Sequence, residues 1–149
     1  KEEFTTVEES LKLVEGYLQI QKIRYGTNFI WKIKVDPQLK KIVIPRLIIQ
    51  PVVENSIIHG LEKLTGERAI QITGQLNPLI LIVRDNGLGL SEEIWQDSLA
   101  GQKGIGLYNV NQRLKLYYGE GAGLTYLREK GSSTVTIHMG QREKIIDKT

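Results

Sequence analysis

The sequence contains no cysteine among its 149 residues. This absence excludes disulfide bonds, zinc sites with cysteine ligands and cysteine nucleophiles. Long apolar runs are missing too, since no stretch reaches the roughly 18 apolar residues that a membrane-spanning helix needs. Neither sign of charge dominates, because 20 basic and 17 acidic residues are interspersed. Without a basic stripe, nucleic acid is not an expected partner.

Glycine is the residue type that the sequence has in excess. It accounts for 15 of the 149 residues, and eight of these lie between Gly87 and Gly123. The rest of the composition, 40% hydrophobic and 25% charged, is typical of one globular domain. Because glycine weakens regular structure, its clustering indicates a backbone shaped for a particular contact.

Apolar periodicity and cap signals predict helices and strands along most of the chain. Thr6 and Glu9 have the spacing of a capping box, and Pro51 is expected to kink the helix that Pro45 opens. The charged residues from Gln141 onward are expected to fray. The predicted helices are 6–25, 45–61, 91–99 and 105–118, and the predicted strands are 28–35, 68–76, 79–84, 124–129 and 133–139. The apolar face of the last helix is predicted to carry Leu107, Val110, Leu114 and Tyr117.

Most predicted strands are joined as hairpins instead of alternating regularly with helices. This order favours a two-layer α/β sandwich with a mixed, mostly antiparallel sheet and helices on one face. It argues against a doubly wound parallel sheet. Common phosphate motifs are also absent: there is no GxxxxGK[ST], and the GxGxxG-like stretch from Gly104 ends in Asn109 and follows a polar loop.

Three segments carry candidate chemistry, and each also has a plain structural explanation. In QPVVENSIIHG (50–60), Asn55 and His59 share a helix face and could hydrogen-bond to each other. DNGLG (85–89) could be a simple turn, or Asp85 could accept a hydrogen bond while the glycines admit a flat ligand. GQKGIGL (101–107) could be a linker with a cap, or a helix start that binds phosphate.

Together the three segments resemble the N, G1 and G2 boxes of the GHKL ATP-binding superfamily. QPVVENSIIHG, DNGLGL and GIGLYNVNQRL resemble the sensor histidine kinases of the LytS/YesM type, as does the N-terminal EESLKLVEGYLQIQKIRYG. The resemblance implies the GHKL fold and the catalytic ATP-binding domain of a two-component sensor kinase. Such a domain binds Mg²⁺ and ATP, and transfers the γ-phosphoryl group to a histidine in a separate dimerisation domain.

The resemblance also implies roles for individual residues. Asn55 would hold Mg²⁺ through its amide oxygen, with Glu54 beside it as a second candidate catalytic residue of no firm role. Asp85 would accept a hydrogen bond from the adenine amino group, and Gly87 and Gly89 would shape the adenine pocket.

The remaining implied nucleotide-binding residues come from the lid, the helix and a late strand. Residues 90–103 would form a short lid, in which Lys103 is either a phosphate contact or a solvated charge. Ser133 would lie behind the adenine or be an ordinary strand serine, and His59 would be either part of the nucleotide motif or a helix-internal hydrogen-bonding group. The phosphate-binding loop and helix start would consist of Gly104, Ile105, Gly106 and Leu107.

Two positions depart from related families and bear on the reaction. Many histidine kinases have a lysine where this chain has Ile58, so that phosphate contact cannot be carried over. Hydrolysing GHKL members have a glutamate where this chain has Pro51, which offers no base. The departure at Pro51 disfavours ATP hydrolysis. A GHKL-type ATPase and a non-catalytic nucleotide-binding module remain the alternatives.

The resemblance finally implies how this chain fits into a longer protein. Residues 1–26 would be a connecting helix that follows the phosphoacceptor region, and residues 27–149 would be the catalytic domain. The expected partners are the phosphoacceptor domain of the same kinase and, indirectly, a response regulator. The whole kinase is expected in the bacterial cell membrane with this domain in the cytoplasm, and this piece alone is expected to be monomeric.

Overall fold

A five-stranded sheet, covered by helices on one face, forms the centre of the computed structural model, which describes residues 3–140. The fraying predicted from Gln141 onward lies outside the described residues. The strands are β1 Phe4–Thr6, β2 Phe29–Lys34, β3 Val43–Pro45, β4 Arg68–Gln75, β5 Leu79–Asp85, β6 Gly123–Glu129 and β7 Ser132–Gly140. The helices are α1 Val7–Tyr25, α2 Pro37–Lys40, α3 Ile49–Asn55, α4 Glu92–Leu99 and α5 Gly106–Tyr118, with a 3₁₀ turn at Gly26–Asn28 and a π turn at Ser56–Leu61.

The main sheet has the strand order β2-β4-β5-β7-β6. β2 runs parallel to β4, and the other three pairings are antiparallel, so the prediction of a mixed, mostly antiparallel sheet is confirmed. Along β5, Leu79, Leu81 and Val83 are fully buried, whereas the residues between them are more exposed. This alternation places one face of the sheet against the helices and leaves the other open.

A second, two-stranded sheet was not predicted. β1 and β3 pair antiparallel, with Phe4 opposite Pro45 and Thr6 opposite Val43. Each strand has only three residues, which is too short to show the alternation that identifies strands in a sequence. β1 and β3 are far apart along the chain, so no local turn signal marks their pairing either.

The prediction for the helix at 45–61 was wrong at its start. Pro45 ends strand β3, and the helix begins at Ile49. Pro51 therefore lies in the first helical turn, where a backbone N–H has no partner within the helix and its absence breaks no hydrogen bond. The irregularity lies further along, where the helix widens into the π turn and the Glu62 N–H donates to Ile57 O at 2.9 Å.

The buried face of α5 also differs from the prediction at one residue. Leu107, Val110 and Leu114 are buried as expected, but the fourth member is Tyr118 rather than Tyr117. Tyr117 instead faces the N-terminal segment, where its ring and the Phe4 ring pack edge to face with their centroids 5.1 Å apart. Its hydroxyl donates to Glu3 Oε1 at 3.1 Å. The unforeseen β1 strand thus explains the change.

Helix α1 contributes to the same apolar core as the sheet. Val7, Val14 and Leu18 are fully buried, and the helix packs against α3 and β2. The Thr6 side chain caps α1 as predicted, accepting a hydrogen bond from the Glu9 N–H at 3.1 Å. A domain boundary at residue 26 stays a prediction.

The Thr6→Ala variant is expected to lower the free energy of unfolding by about 1 kcal/mol, because the first turn of α1 loses its side-chain cap. Urea unfolding followed by circular dichroism measures the change as a lower midpoint with an unchanged slope. The control is Thr5→Ala, which removes the neighbouring threonine from β1 but no cap. An equal loss in both variants would contradict the capping role.

Candidate functional site

One face of the helix formed by α3 and the π turn borders a cleft of about 150 Å³. The opposite wall comes from the loop before α5 and from its first turn. Glu54, Asn55 and His59 lie on the helix side, so three predicted site residues share one surface. The predicted residues that line the facing wall are Lys103, Gly104, Gly106 and Leu107.

The loop before α5 bends through glycine. Gly101 and Gly104 have φ angles of +84° and +106°, which side chains rarely adopt. α5 begins at Gly106, so its first backbone N–H groups and its positive dipole end lie at the cleft. Ile105 belongs to the predicted loop but is 64% exposed and is not part of the cleft wall.

The predicted residues Asp85, Gly87, Gly89 and Ser133 form a second group at the ends of β5 and β7. Asp85 is directly opposite Ser133 across the two strands. Asp85 is 5% exposed and Ser133 is 3% exposed. The Asp85 carboxylate accepts a hydrogen bond from the Gly87 N–H at 2.8 Å and another from the Ser56 hydroxyl. Since Ser56 follows Asn55 directly, the π turn connects the two groups.

Backbone packs directly on backbone where the π turn meets the loop after β5. The Leu88 N–H donates to Gly60 O at 2.9 Å. A Cβ added to Gly87 would lie 1.9 Å from that same oxygen, and a Cβ added to Gly60 would lie 2.8 Å from Asp85 Oδ1. Both positions therefore require glycine, which keeps the loop against Asp85.

Burial changes the acid–base chemistry of Asp85. It raises the pKa of this carboxyl from 3.8 to about 6, although the hydrogen bonds from Gly87 and Ser56 oppose the shift. At pH 7.5 the side chain is therefore ionised, and it can only accept hydrogen bonds. A buried, ionised acceptor at a strand end suits recognition of a ligand amino group.

The alternative explanation for Asn55 and His59, a hydrogen bond between them, is not what the structure has. Their side chains share the cleft wall, and neither has a hydrogen-bond partner among residues 3–140. Glu54 is partly engaged, because its Oε2 accepts a hydrogen bond from Gln50 Nε2 at 3.0 Å. Within residues 3–140, the Asn55 amide and the His59 ring are thus both polar groups on the helix side without a hydrogen-bond partner.

The prediction missed Ser56, Gly60 and Tyr126 as parts of the site. Tyr126 contacts Ser133 and the loop after β5. A glycine inside a predicted helix was a usable signal for Gly60, because glycine is costly there without a packing reason. Ser56 and Tyr126 act through contacts distant in sequence, which no local pattern reveals.

The cleft can be tested for its fit to a divalent cation. Within residues 3–140, no group of three or more His, Cys, Asp and Glu side chains could hold a metal ion. A cation here must take most of its ligands from a bound phosphate compound and water, which is how Mg²⁺ commonly binds. The free Asn55 amide beside the α5 N-terminus fits that arrangement.

Comparisons with known proteins agree on one kind of domain. The chain is 31% identical over 149 residues to the sensor histidine kinase YesM of Bacillus subtilis (strain 168), covering 98% of this chain and 26% of that kinase. It is 36% identical over 135 residues to the sensor protein LytS of Oceanobacillus iheyensis, covering 83% of this chain and 23% of that protein. Its fold matches the catalytic domain of histidine kinase ThkA with a TM-score of 0.66 and 18% identity, covering 95% of this chain and 97% of the other.

The chain belongs to the LytS/YesM type of sensor histidine kinase, and its fold is that of histidine-kinase catalytic domains. It spans about a quarter of the length of the YesM and LytS proteins that it matches. No family model matches it. Over residues 3–140, none of its helices is both long and apolar enough to cross a membrane.

Proposed function

We propose that this domain binds ATP with Mg²⁺ and positions the γ-phosphoryl group for transfer to a histidine in another domain of the same kinase. The observation that carries the proposal is the shared helix: α3 and its π turn present Asn55 to the cleft and Ser56 to Asp85. One ligand could thus reach a buried acceptor at one end and a helix N-terminus at the other.

At the adenine end, Asp85 would accept a hydrogen bond from the 6-amino group. Gly87 and Gly89 would shape the adenine pocket indirectly, since their missing side chains let the loop after β5 pack against Gly60 and Ser133. The carboxylate must be ionised for this role, which its pKa of about 6 permits at neutral pH.

At the phosphate end, the free N–H groups of the first α5 turn would bind phosphate oxygens. Lys103 would add a positive charge from the loop, and Asn55 would hold the metal through its amide oxygen. When bound there, Mg²⁺ would supply positive charge to neutralise the charge that develops on the phosphate groups. Phosphoryl transfer needs such positioning and charge neutralisation more than covalent chemistry.

The cleft must enlarge to admit a nucleotide, because its 150 Å³ is below the ~300 Å³ lower bound of ordinary ligand pockets. The loop between α4 and α5 is the segment that would move. Its two glycines with positive φ, Gly101 and Gly104, can absorb the change in backbone angles that such opening requires.

The reaction should be transfer and not hydrolysis. Pro51 lines the cleft where hydrolysing relatives carry a glutamate, and its ring cannot activate water. Steady release of phosphate from ATP by this chain alone, with no acceptor added, would instead support an ATPase.

The acceptor histidine should come from the phosphoacceptor domain of the same kinase, which then serves a response regulator. His59 is held on the helix that carries Asn55. His138 lies on the open sheet face, where its Nε2 is 2.8 Å from Thr125 Oγ1. The whole kinase would reside in the bacterial membrane, with this domain on the cytoplasmic side.

Thermal unfolding tests the proposal directly, because a ligand that binds only the folded state must stabilise it. ATP is expected to raise the melting temperature, and Mg²⁺ is expected to raise it further. The Asn55→Ala variant should keep the ATP effect but lose most of the Mg²⁺ increment.

The matched control is Gln112→Ala, which removes an exposed amide from α5 away from the cleft. This variant should respond to Mg²⁺ and ATP as the unchanged domain does. No shift with ATP in the unchanged domain would overturn the proposed function. A full Mg²⁺ increment in Asn55→Ala would remove Asn55 from the metal site.

A further inference from the structure

Tyr126 connects three parts of the domain although it lies outside every predicted motif. Its ring stacks on Trp95 of α4, with centroids 4.8 Å apart and 19° between the ring planes. Its hydroxyl accepts a hydrogen bond from the Leu90 N–H at 2.6 Å and reaches Ser133 Oγ at 3.3 Å. The stacked ring fixes the position of the hydroxyl, because Trp95 is itself only 2% exposed.

Donor and acceptor can be assigned in the two hydrogen bonds of the Tyr126 hydroxyl. The Leu90 N–H can only donate, so it occupies an acceptor position of the Tyr126 oxygen. The proton of Tyr126 is then free to go to Ser133 Oγ, which accepts it. The hydroxyl proton of Ser133 is then available for a second hydrogen bond. Within residues 3–140, no group accepts that proton.

The unused proton lies next to Asp85. Ser133 and Asp85 are directly opposite in adjacent antiparallel strands, so their side chains lie side by side on one face. Gly89 packs close to Ser133 and Tyr126, since a Cβ there would be 2.5 Å from Ser133 Oγ and 2.7 Å from the Tyr126 hydroxyl. The result is a buried acceptor and a buried donor next to each other.

Adenine presents the complementary pair on one edge, a donor at its 6-amino group and an acceptor at ring nitrogen N1. We propose that Tyr126 is a positioning residue that holds Ser133 as a hydrogen-bond donor to N1, and so makes the site selective for bases with an acceptor at that position. The inference rests on the proposed function, because it assumes that Asp85 receives the adenine amino group.

The test compares ATP with 1-deaza-ATP, in which a C–H replaces N1 and the 6-amino group remains. Dissociation constants for both are measured with Mg²⁺ by calorimetry on the whole chain. The unchanged domain should prefer ATP by about 5- to 10-fold, the value of one hydrogen bond between neutral groups. The Tyr126→Phe variant, which keeps the stacked ring, should reduce that preference to about 2-fold or less.

Two further variants make the result specific. Tyr117→Phe also removes one tyrosine hydroxyl, but outside the site, and should leave the preference unchanged. Ser133→Ala should abolish the preference, and a preference retained in this variant overturns the proposal even if Tyr126→Phe does not fold.

The possible failures are distinguishable. If Tyr126→Phe weakens both nucleotides equally, Tyr126 only supports the loop and the inference is wrong while the proposed function stands. If the unchanged domain binds ATP and 1-deaza-ATP equally, Ser133 does not donate to N1 and the inference again fails alone. If the unchanged domain binds neither nucleotide, the proposed function and the inference fall together.

Discussion

The Asp85→Asn variant is expected to bind ATP at least about 100-fold more weakly than the unchanged domain, yet to be more stable without ligand at pH 7.5. A hydrogen bond to a charged acceptor contributes about 1.5–3 kcal/mol. The variant also turns an amide N–H₂ or a weaker carbonyl acceptor towards the adenine amino group. Affinity therefore falls by the lost bond and, in one amide orientation, by donor–donor repulsion as well.

The gain in stability follows from the cost of burying an ionised carboxylate. The pKa of Asp85 is about 6 in the folded state against 3.8 ordinarily, so the folded state binds the proton more tightly. The favourable contribution of protonated Asp85 is full below about pH 4 and is lost as the pH rises through about 6. Asparagine stays neutral, and should raise the free energy of unfolding by about 3 kcal/mol at pH 7.5.

Urea unfolding at several pH values and ATP calorimetry together measure both effects. The stability gap between Asp85→Asn and the unchanged domain should widen from about pH 4 to about pH 7. The control is Asp36→Asn, which neutralises an exposed carboxylate that caps α2 without a side-chain hydrogen bond. Normal ATP binding by Asp85→Asn would exclude Asp85 from the adenine site. A stability difference that does not change with pH would contradict the effect of burial on the pKa of Asp85.

The Gly87→Ala variant is expected to lose at least about 3 kcal/mol of stability, together with ATP binding. Its new methyl group would lie 1.9 Å from Gly60 O, 2.2 Å from Gly60 C and 2.7 Å from Gly60 Cα. All three atoms belong to the backbone, so no side chain can rotate away. Relief requires the loop after β5 and the π turn to separate, which displaces Asp85.

A second glycine supplies the matched control. Gly16 lies in the exposed middle of α1, and a Cβ there would meet nothing within 4 Å. Gly16→Ala should therefore stabilise the domain by about 0.5–1 kcal/mol, because alanine favours helix. The same chemical change is expected to have opposite signs at the two positions. Urea unfolding measures both, and similar effects would show that packing against Gly60 is unimportant.

The parts of the fold that local chemistry determines were predictable from the sequence. The cap at Thr6 and the alternation along β5 identified their elements because neighbouring residues decide them. The three-residue strands β1 and β3 were missed, because only their distant pairing defines them. The start of α3 was misplaced since Pro45 suits both a helix start and the end of an edge strand.

The residues of the candidate site likewise divide into those that local sequence could predict and those that it could not. The glycine-rich loop and the polar residues near it, such as Asn55, were visible as departures from ordinary helix and strand composition. Gly60 and Ser56 were overlooked because they meet their partners only in the folded chain: Gly60 packs on the loop after β5, and Ser56 donates to Asp85. The assigned roles of all site residues stay predictions until a nucleotide is shown to bind.

The π turn makes segment length, as well as residue identity, a determinant of this site. Its wider turn holds one more residue than an α-helix would between Asn55 and Gly60. Deleting any residue of 57–59 would favour a regular helix, yet it would draw Gly60 out of register with Gly87. No substitution elsewhere in that segment could restore the register. Insertions and deletions there should consequently be tolerated far less than changes of side chain.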